Sequence, residues 1–186
     1  MQAVKTDKGE IACAQVVLAA GAGTLQIAKH LGVRPAIYPV KGYSATYAIR
    51  NPDRIPKRPI VDETCLVAVN RLGGRLRVSA IAEFAEYDRS TSDERTAYID
   101  GYVREHFGDA VDLKAAEHWA GLRPTTPGGA PYLGRLRAFE NAWINAGHGQ
   151  LGWTMAAGAC RVLAKRINGE PAQVEDISEP AAWLIP

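Results

Sequence analysis

The sequence predicts a mixed fold of the α+β and α/β kind: a strand–turn–helix unit first, then a mainly antiparallel β region with helices, then a return to α/β texture. Three observations carry this. Residues 15–31 read as strand, glycine turn and helix in succession, the repeating unit of α/β proteins. Residues 37–82 are rich in β-branched and aromatic residues punctuated by Pro and Gly, which suits short paired strands. Gly152–Ile167 places Met155, Ala159, Val162, Leu163 and Ile167 on one side of a helix.

Composition agrees with a globular chain. The protein has 186 residues, 47% hydrophobic and 23% charged, and folding at this length buries about 70% of the unfolded surface. The 22 Lys and Arg stand against 20 Asp and Glu, a net charge of +2, so no global field argues for a nucleic-acid partner. Cys13, Cys65 and Cys160 are scattered and form no C-x-x-C, as in a reducing, cytoplasmic compartment, with neither disulfide framework nor zinc site. The first ten residues lack the apolar stretch of a signal peptide, and the most apolar run, 16–23, is far short of a membrane span.

Taken in order, residues 2–6 and 11–14 flank Asp7-Lys8-Gly9-Glu10, a turn in which Gly9 takes positive φ. Gln15–Ala20 is apolar without alternation, as in a strand buried on both faces. Gly21-Ala22-Gly23 turns the chain, and Thr24 caps a helix that runs to Leu31 and stops at Gly32. A strand covers Tyr38–Ile49, followed by a loop with Pro52, Pro56 and Pro59. Cys65–Val69 and Arg75–Ala82 form a hairpin around Arg71-Leu72-Gly73-Gly74. Ser92–Phe107 is a helix with Ala97, Tyr98, Tyr102, Val103 and Phe107 inward; 116–122, 131–134 and 142–146 are short strands. The residues from Asn168 onward, with three prolines, read as a tail.

Four constellations carry possible chemistry. Gly21-Ala22-Gly23-Thr24-Leu25-Gln26 nearly matches the dinucleotide fingerprint, but its third glycine is Gln26 and no acidic residue follows about 20 positions on. It reads first as a tight turn that can approach a cofactor. Gly147-His148-Gly149-Gln150-Leu151-Gly152 is a complete G-x-G-x-x-G, yet only 34 residues follow it, too few for a nucleotide-binding half. Glycines before a helix still free backbone N–H groups for an anion; the alternative is a glycine-rich loop with a satisfied surface His148. In Gly121-Leu122-Arg123-Pro124 the rigid proline fixes the backbone beside Arg123, whose two-pronged guanidinium matches a carboxylate. A structural ion pair is the other reading. Arg50, Arg54, Lys57 and Arg58 read as a solvated loop. No H-E-x-x-H, nucleophile elbow or Walker motif is present, and the four histidines are too scattered for a metal site.

The run Gly121 to Gly134 (GLRPTTPGGAPYLG), followed by Asn145 to Met155 (NAGHGQLGWTM), resembles the FAD-dependent D-amino acid dehydrogenases of the D-amino acid oxidase-like superfamily. Upstream, Val16–Ala22 resembles the late strand of the family's FAD domain, and Tyr38-Pro39-Val40-Lys41-Gly42-Tyr43 its entry into the substrate domain. The likeness runs in order from about residue 10 to 170. It implies a partial Rossmann-like FAD-binding domain over 1–36 and 121–170, a mainly antiparallel substrate domain over 37–120, and a tail at 171–186. It also implies FAD as cofactor, oxidation of a D-amino acid to an imine, and hydrolysis of that imine to a 2-oxo acid and ammonia. By position, Arg123 and His148 would face the substrate. Gly147, Gly149, Gln150, Leu151, Gly152, Trp153 and Thr154 would lie on the flavin's pyrimidine edge, and Gly21 and Ala22 on its adenosine and pyrophosphate side. No catalytic acid or base is nominated.

The family pattern Pro-Asp-Gly is Pro127-Gly128-Gly129 here, and Gln150 stands where threonine is common; both bear on substrate range rather than reaction type. Nothing at the N-terminus resembles the family's pyrophosphate-binding fingerprint. The reading is therefore a C-terminal portion of such an enzyme, expected to hold FAD weakly or not at all on its own, with sheet edges left open. Related dehydrogenases pass electrons to a membrane quinone, which implies a peripheral place on the inner membrane. Two alternatives stay open: a non-catalytic carboxylate-binding or interaction module, and an oxidoreductase of the superfamily acting on glycine, sarcosine or proline.

Overall fold

The computed structural model describes residues 2–172, which divide into two compact units, 40–122 and the two flanking stretches up to 39 and from 123. The tail expected beyond 172 lies outside the described residues.

The first stretch opens with the hairpin β1 (Ala3–Thr6) and β2 (Gly9–Ala12), in which Thr6 pairs with Gly9. The turn is therefore Asp7-Lys8 alone, and Gly9 (φ +125°) and Glu10, expected in it, belong to the second strand. β3 (Val16–Leu18) follows. Contrary to expectation it is not buried on both faces: Leu18 is buried but Val17 is 40% exposed. Gly21, at φ +56°, starts a 3₁₀ turn that runs into α1 (Thr24–His30). Thr24 is the first helical residue rather than the cap; fully buried, its Oγ1 accepts from the Ala20 N–H at 3.1 Å and closes the glycine turn from within. Gly32 (φ +70°) ends the segment.

The second unit is one sheet with a helix on one face. β4 (Tyr38–Ala48), β5 (Ile60–Asp62), β6 (Val67–Leu72) and β7 (Arg75–Phe84) precede α2 (Asp93–Phe107), and β8 (Glu117–Thr125) follows it; the sheet order is β5-β6-β7-β4-β8. The β6–β7 hairpin turns on Gly73-Gly74 only, since Leu72 pairs with Arg75. Gly73 at φ +61° supplies the left-handed step. Inward residues alternate along the strands: Tyr43, Ala45 and Tyr47 on β4, Val67 and Val69 on β6, Leu76, Val78 and Ala80 on β7. They meet Ile99, Tyr102, Val103 and Phe107 of α2. Ile99, absent from the helical face read in the sequence, is fully buried, whereas Tyr98 is 47% exposed. Ser92 precedes α2 without a side-chain cap, but Asp93 and Glu94 in the first turn and Arg104 and His106 in the last complement its dipole.

Polar groups inside this unit are paired. Tyr47 donates to Asp100 Oδ1 at 2.5 Å, and His118 Nε2 meets the same oxygen at 2.9 Å. Lys41, nearly inaccessible, reaches Asp88 Oδ2 at 2.7 Å and Glu83 at 3.6 Å, and Tyr43 donates to Glu83 at 2.6 Å. Lys41 is held above the usual ammonium range by its bond to Asp88, against the opposing effect of burial.

From residue 123 the chain rejoins the first unit. β9 (Tyr132–Arg135) and β10 (Ala142–Ala146) precede α3 (Gly152–Ile167). β10 lies between β3, parallel to it, and β9, antiparallel. Leu18, Ala28, Val33, Ile37, Tyr132, Leu136, Ala142 and Ile144 form the core of this unit. Ala159 and Leu163 are the buried residues of α3, in the middle of the apolar face expected there. Asn168 and Gly169 (φ +73°) close the helix.

Candidate functional site

The parallel pair fixes the site. β3 and β10 run in the same direction with Leu18 opposite Ile144, so both end at the same side of the sheet. Gly21 follows Leu18 by three residues and Gly147 follows Ile144 by three. Each strand is followed by a glycine turn and a helix: Gly21–Gly23 into α1, Gly147–Leu151 into α3. The carboxyl ends of parallel strands, with helix N-termini beside them, are where α/β sheets bind ligands.

The second glycine segment is more ordered than the loop expected from sequence. Only Gly147 and His148 are non-helical; Gly149–Leu151 form a 3₁₀ turn, with the Leu151 N–H on the His148 carbonyl at 3.1 Å, continuous with α3. Gly147 is buried at φ +88°, and a Cβ there would stand 2.5 Å from Thr126 Cγ2 and 3.6 Å from Tyr132 Cδ2. Glycine is required twice over, by its backbone and by this close approach.

Arg123 is brought to this place by strand pairing. β8 continues past Leu122 through Thr125, and Thr125 forms an antiparallel bridge with His148. Pro124, which lacks an N–H, is tolerated on this edge strand. Thr126 then turns the chain: it is buried, its hydroxyl donates to the Ala130 carbonyl at 2.8 Å, and Gly129 takes φ +74°. That turn is Pro127-Gly128-Gly129-Ala130. Arg123 is half-buried, and burial pushes its guanidinium below the ordinary value.

His148 is half-buried, and burial lowers its imidazole below 6.5 toward the neutral form. Its Nε2 is buried with no hydrogen-bond partner among the described residues, as is Asn145 Oδ1. An unpaired buried polar atom is costly, and two of them near one turn suit a group that arrives from outside. Asn145 Nδ2 donates to Cys160 Sγ of α3 at 3.8 Å. Gln150, Leu151, Trp153 and Thr154 are exposed, Trp153 at 96% and Leu151 at 52%. α3 begins at Gly152 with no side-chain cap and no acidic residue in its first turn, so neither offsets the positive end of its dipole. Among the described residues no His, Cys, Asp and Glu cluster could hold a metal.

The structure bridges Thr125, two residues from Arg123, to His148, and pairs in parallel the two strands that precede Gly21 and Gly147. Sequence reasoning missed Asn145, Thr125 and Thr126. Asn145 lay inside a quoted motif, but its orphaned oxygen is visible only in three dimensions.

An α/β unit with two glycine turns at the carboxyl end of its sheet, and an antiparallel sheet covered by a helix, define the class: a two-unit protein of mixed α/β and antiparallel β structure. The chain belongs to the FAD dependent oxidoreductase family DAO, whose pattern matches residues 1–166. It is 41% identical over 173 residues to D-amino acid dehydrogenase of Granulibacter bethesdensis, covering 93% of this chain and 41% of that protein. It is 43% identical over 172 residues to the enzyme of the same name from Cereibacter sphaeroides, covering 92% and 39%. The chain therefore spans about two fifths of the length of the curated relatives it matches. Among solved structures it is similar to glycine oxidase from Geobacillus kaustophilus (TM-score 0.78, 22% identity, 95% of this chain and 49% of that one). Iminodiacetate oxidase from Chelativorans is also similar (TM-score 0.76, 24% identity, 97% and 53%). These neighbours share the fold. The partial Rossmann-like unit and the mainly antiparallel unit expected from sequence agree with that fold.

Proposed function

We propose that the chain supplies the substrate-carboxylate and flavin-edge portion of an FAD-dependent D-amino acid dehydrogenase. The observation that supports the reading is the Thr125–His148 bridge, which ties the strand carrying Arg123 to the segment that leads into α3. Residues 1–36 and 121–170 form the cofactor side and 37–120 the substrate domain. Arg123 pairs with the amino acid's carboxylate and thereby fixes its α-carbon; positioning of this kind is a large part of such catalysis. Burial sharpens that pairing by removing competing water. FAD, when bound, supplies the redox chemistry by taking up the hydride equivalent of the α-carbon.

The N–H groups opening α3 at Gly152, Trp153 and Thr154 favour negative charge on the pyrimidine edge, as oxyanion-hole donors do. Gly147, Gly149, Gln150 and Leu151 would hold that edge together with the exposed Trp153. Gly21 and Ala22 would hold the adenosine and pyrophosphate side. His148, held neutral, offers its orphaned Nε2 to the substrate. The amine is deprotonated before it binds, so no side-chain base is assigned. The substrate is a D-amino acid and the acceptor a membrane quinone, reached from the cytoplasmic face; no helix among the described residues is long and apolar enough to cross a membrane.

A chimera in which residues 1–172 replace their counterpart in the Granulibacter enzyme tests this. It should bind FAD and reduce an artificial acceptor with D-alanine, and Arg123→Gln should raise KM at least tenfold, the loss of a charged hydrogen-bond pair worth about 1.5–3 kcal/mol. A folded, yellow chimera that oxidises no D-amino acid refutes the substrate assignment. Unchanged KM in Arg123→Gln refutes the role of the arginine.

A further inference from the structure

The connection from β7 to α2, residues 85–92, is held by a buried charge rather than by packing. Every residue from Glu86 to Thr91 is exposed, and none joins either core cluster. A segment with so little burial opens locally unless something else ties it down. Its shape is nonetheless fixed. The Asp88 N–H donates to the Ala85 carbonyl at 3.1 Å, Asp88 Oδ1 accepts from the Ser90 N–H at 2.9 Å, and Oδ2 accepts from Ser90 Oγ at 2.8 Å. The same Oδ2 takes the Lys41 ammonium at 2.7 Å, and the lysine side chain is only 3% exposed.

The strands are irregular where they meet this charge. Lys41 pairs with Glu83 and Tyr43 with Ala80, so Gly42 alone stands against Ile81 and Ala82, as in a β-bulge. Ile81 lies at φ +68°, a costly conformation for a β-branched residue. Regular pairing would set Ala82 against Lys41 and turn Glu83 to the other face of the sheet. The bulge instead sets Glu83 opposite Lys41, at 3.6 Å. Glu83 also accepts from Tyr43 at 2.6 Å and lies 3.9 Å from Arg95 of α2. Hydrogen bonds hold both carboxyls below the usual carboxylate range, from Lys41 to Asp88 and from Tyr43 to Glu83. Two cations thus meet two carboxylates, all within residues 41–95 of one unit.

We propose that Lys41 is the centre of an ionic lock that straps residues 85–91 to the sheet, with Glu83 as its fixed partner on β7 and Asp88 as its releasable partner on the strap. The two carboxylates differ in what each does without the lysine. Asp88 is 52% exposed and turns to water, whereas Glu83 keeps Tyr43 and Arg95. Loss of the lysine therefore leaves no buried charge alone, which is the outcome that makes broken buried pairs expensive. The cost falls on the strap, and the core of the unit stays closed.

Limited trypsin digestion of the full chain tests the lock at the Arg89–Ser90 bond, alongside hydrogen exchange of residues 85–91 read by mass spectrometry. Lys41→Met and Asp88→Ala should each speed both by about tenfold or more, as for the loss of a charged hydrogen bond. Exchange of β6 and cleavage at Lys8, in the exposed β1–β2 turn, should stay as in the parent protein. Glu83→Gln leaves Lys41 bonded to Asp88 and should keep the strap protected. The proposal is overturned if neither Lys41→Met nor Asp88→Ala opens the strap. It is also overturned if Glu83→Gln opens it as far as Asp88→Ala does, or if β6 exchanges faster in step with the strap, since either result marks loosened packing rather than a lock. Should Lys41→Met fail to fold, Asp88→Ala, a change at an exposed residue, decides by the same readings.

Discussion

Replacing Gly147 with alanine puts the construction of the site to a stability measurement. Two costs add. The first is conformational: φ +88° lies in the region where a Cβ crowds the neighbouring carbonyl, at roughly 1–2 kcal/mol. The second is steric: the new methyl would stand 2.5 Å from Thr126 Cγ2, and Thr126 is buried and tied to Ala130. Its rotamer therefore cannot move without losing that bond, and overpacking of this kind costs about 1–3 kcal/mol. Together they predict a loss of about 2–5 kcal/mol, read from urea unfolding. Gly128→Ala is the control, since nothing lies within 4 Å of a Cβ there and its φ is not left-handed. Thr126→Ser removes the Cγ2 methyl, at about 0.8 kcal/mol on its own. In the double mutant it should restore the steric share and leave the conformational one, a coupling of about 1–3 kcal/mol. The reasoning is refuted if Gly147→Ala unfolds within about 0.5 kcal/mol of Gly128→Ala, or if Thr126→Ser restores nothing.

Three further outcomes are expected. His148, lowered below 6.5 by burial, binds fewer protons folded than unfolded, so stability should rise with pH through its folded value and level off above 6.5; urea midpoints between pH 5 and pH 8 should show a slope that His148→Gln flattens. Tyr47→Phe removes the 2.5 Å bond to Asp100 from a fully buried ring and should cost about 1.5–3 kcal/mol in the same unfolding assay, as for a hydrogen bond to a charged group. Arg123→Lys in the chimera keeps the charge but loses the two-pronged geometry, so KM for D-alanine should stay raised; full recovery would show that charge alone suffices.

The elements legible in the sequence were those whose pattern is local. The β-branched, aromatic texture of Tyr38–Ala48 and the apolar face around Ala159 and Leu163 correspond to β4 and α3. What escaped depends on partners far along the chain. Val17 looked interior because its neighbours are apolar, but its exposure depends on what covers β3. Arg71 and Leu72 looked like turn residues beside two glycines, and pairing with β7 draws them into β6. Ile99 is buried by α2's rotation against the sheet, which helical spacing alone does not set. At the site, the glycines and Arg123 were legible as motifs. The Thr125–His148 bridge that brings them together was not, because it joins positions with no local signal.

The parallel pairing of β3 with β10 also has a consequence for biosynthesis. Leu18 meets Ile144, so at about 5–20 residues per second the first strand waits roughly 6–25 s for its partner to be synthesised. The strands of the intervening unit lie within residues 38–125, so its β4–β8 sheet can assemble while β3 still waits. During that interval Val16–Leu18 lacks the one partner it has among the described residues. The β3–β10 pair is thus a late event of synthesis, and slower translation over residues 19–144 should lengthen the wait in proportion.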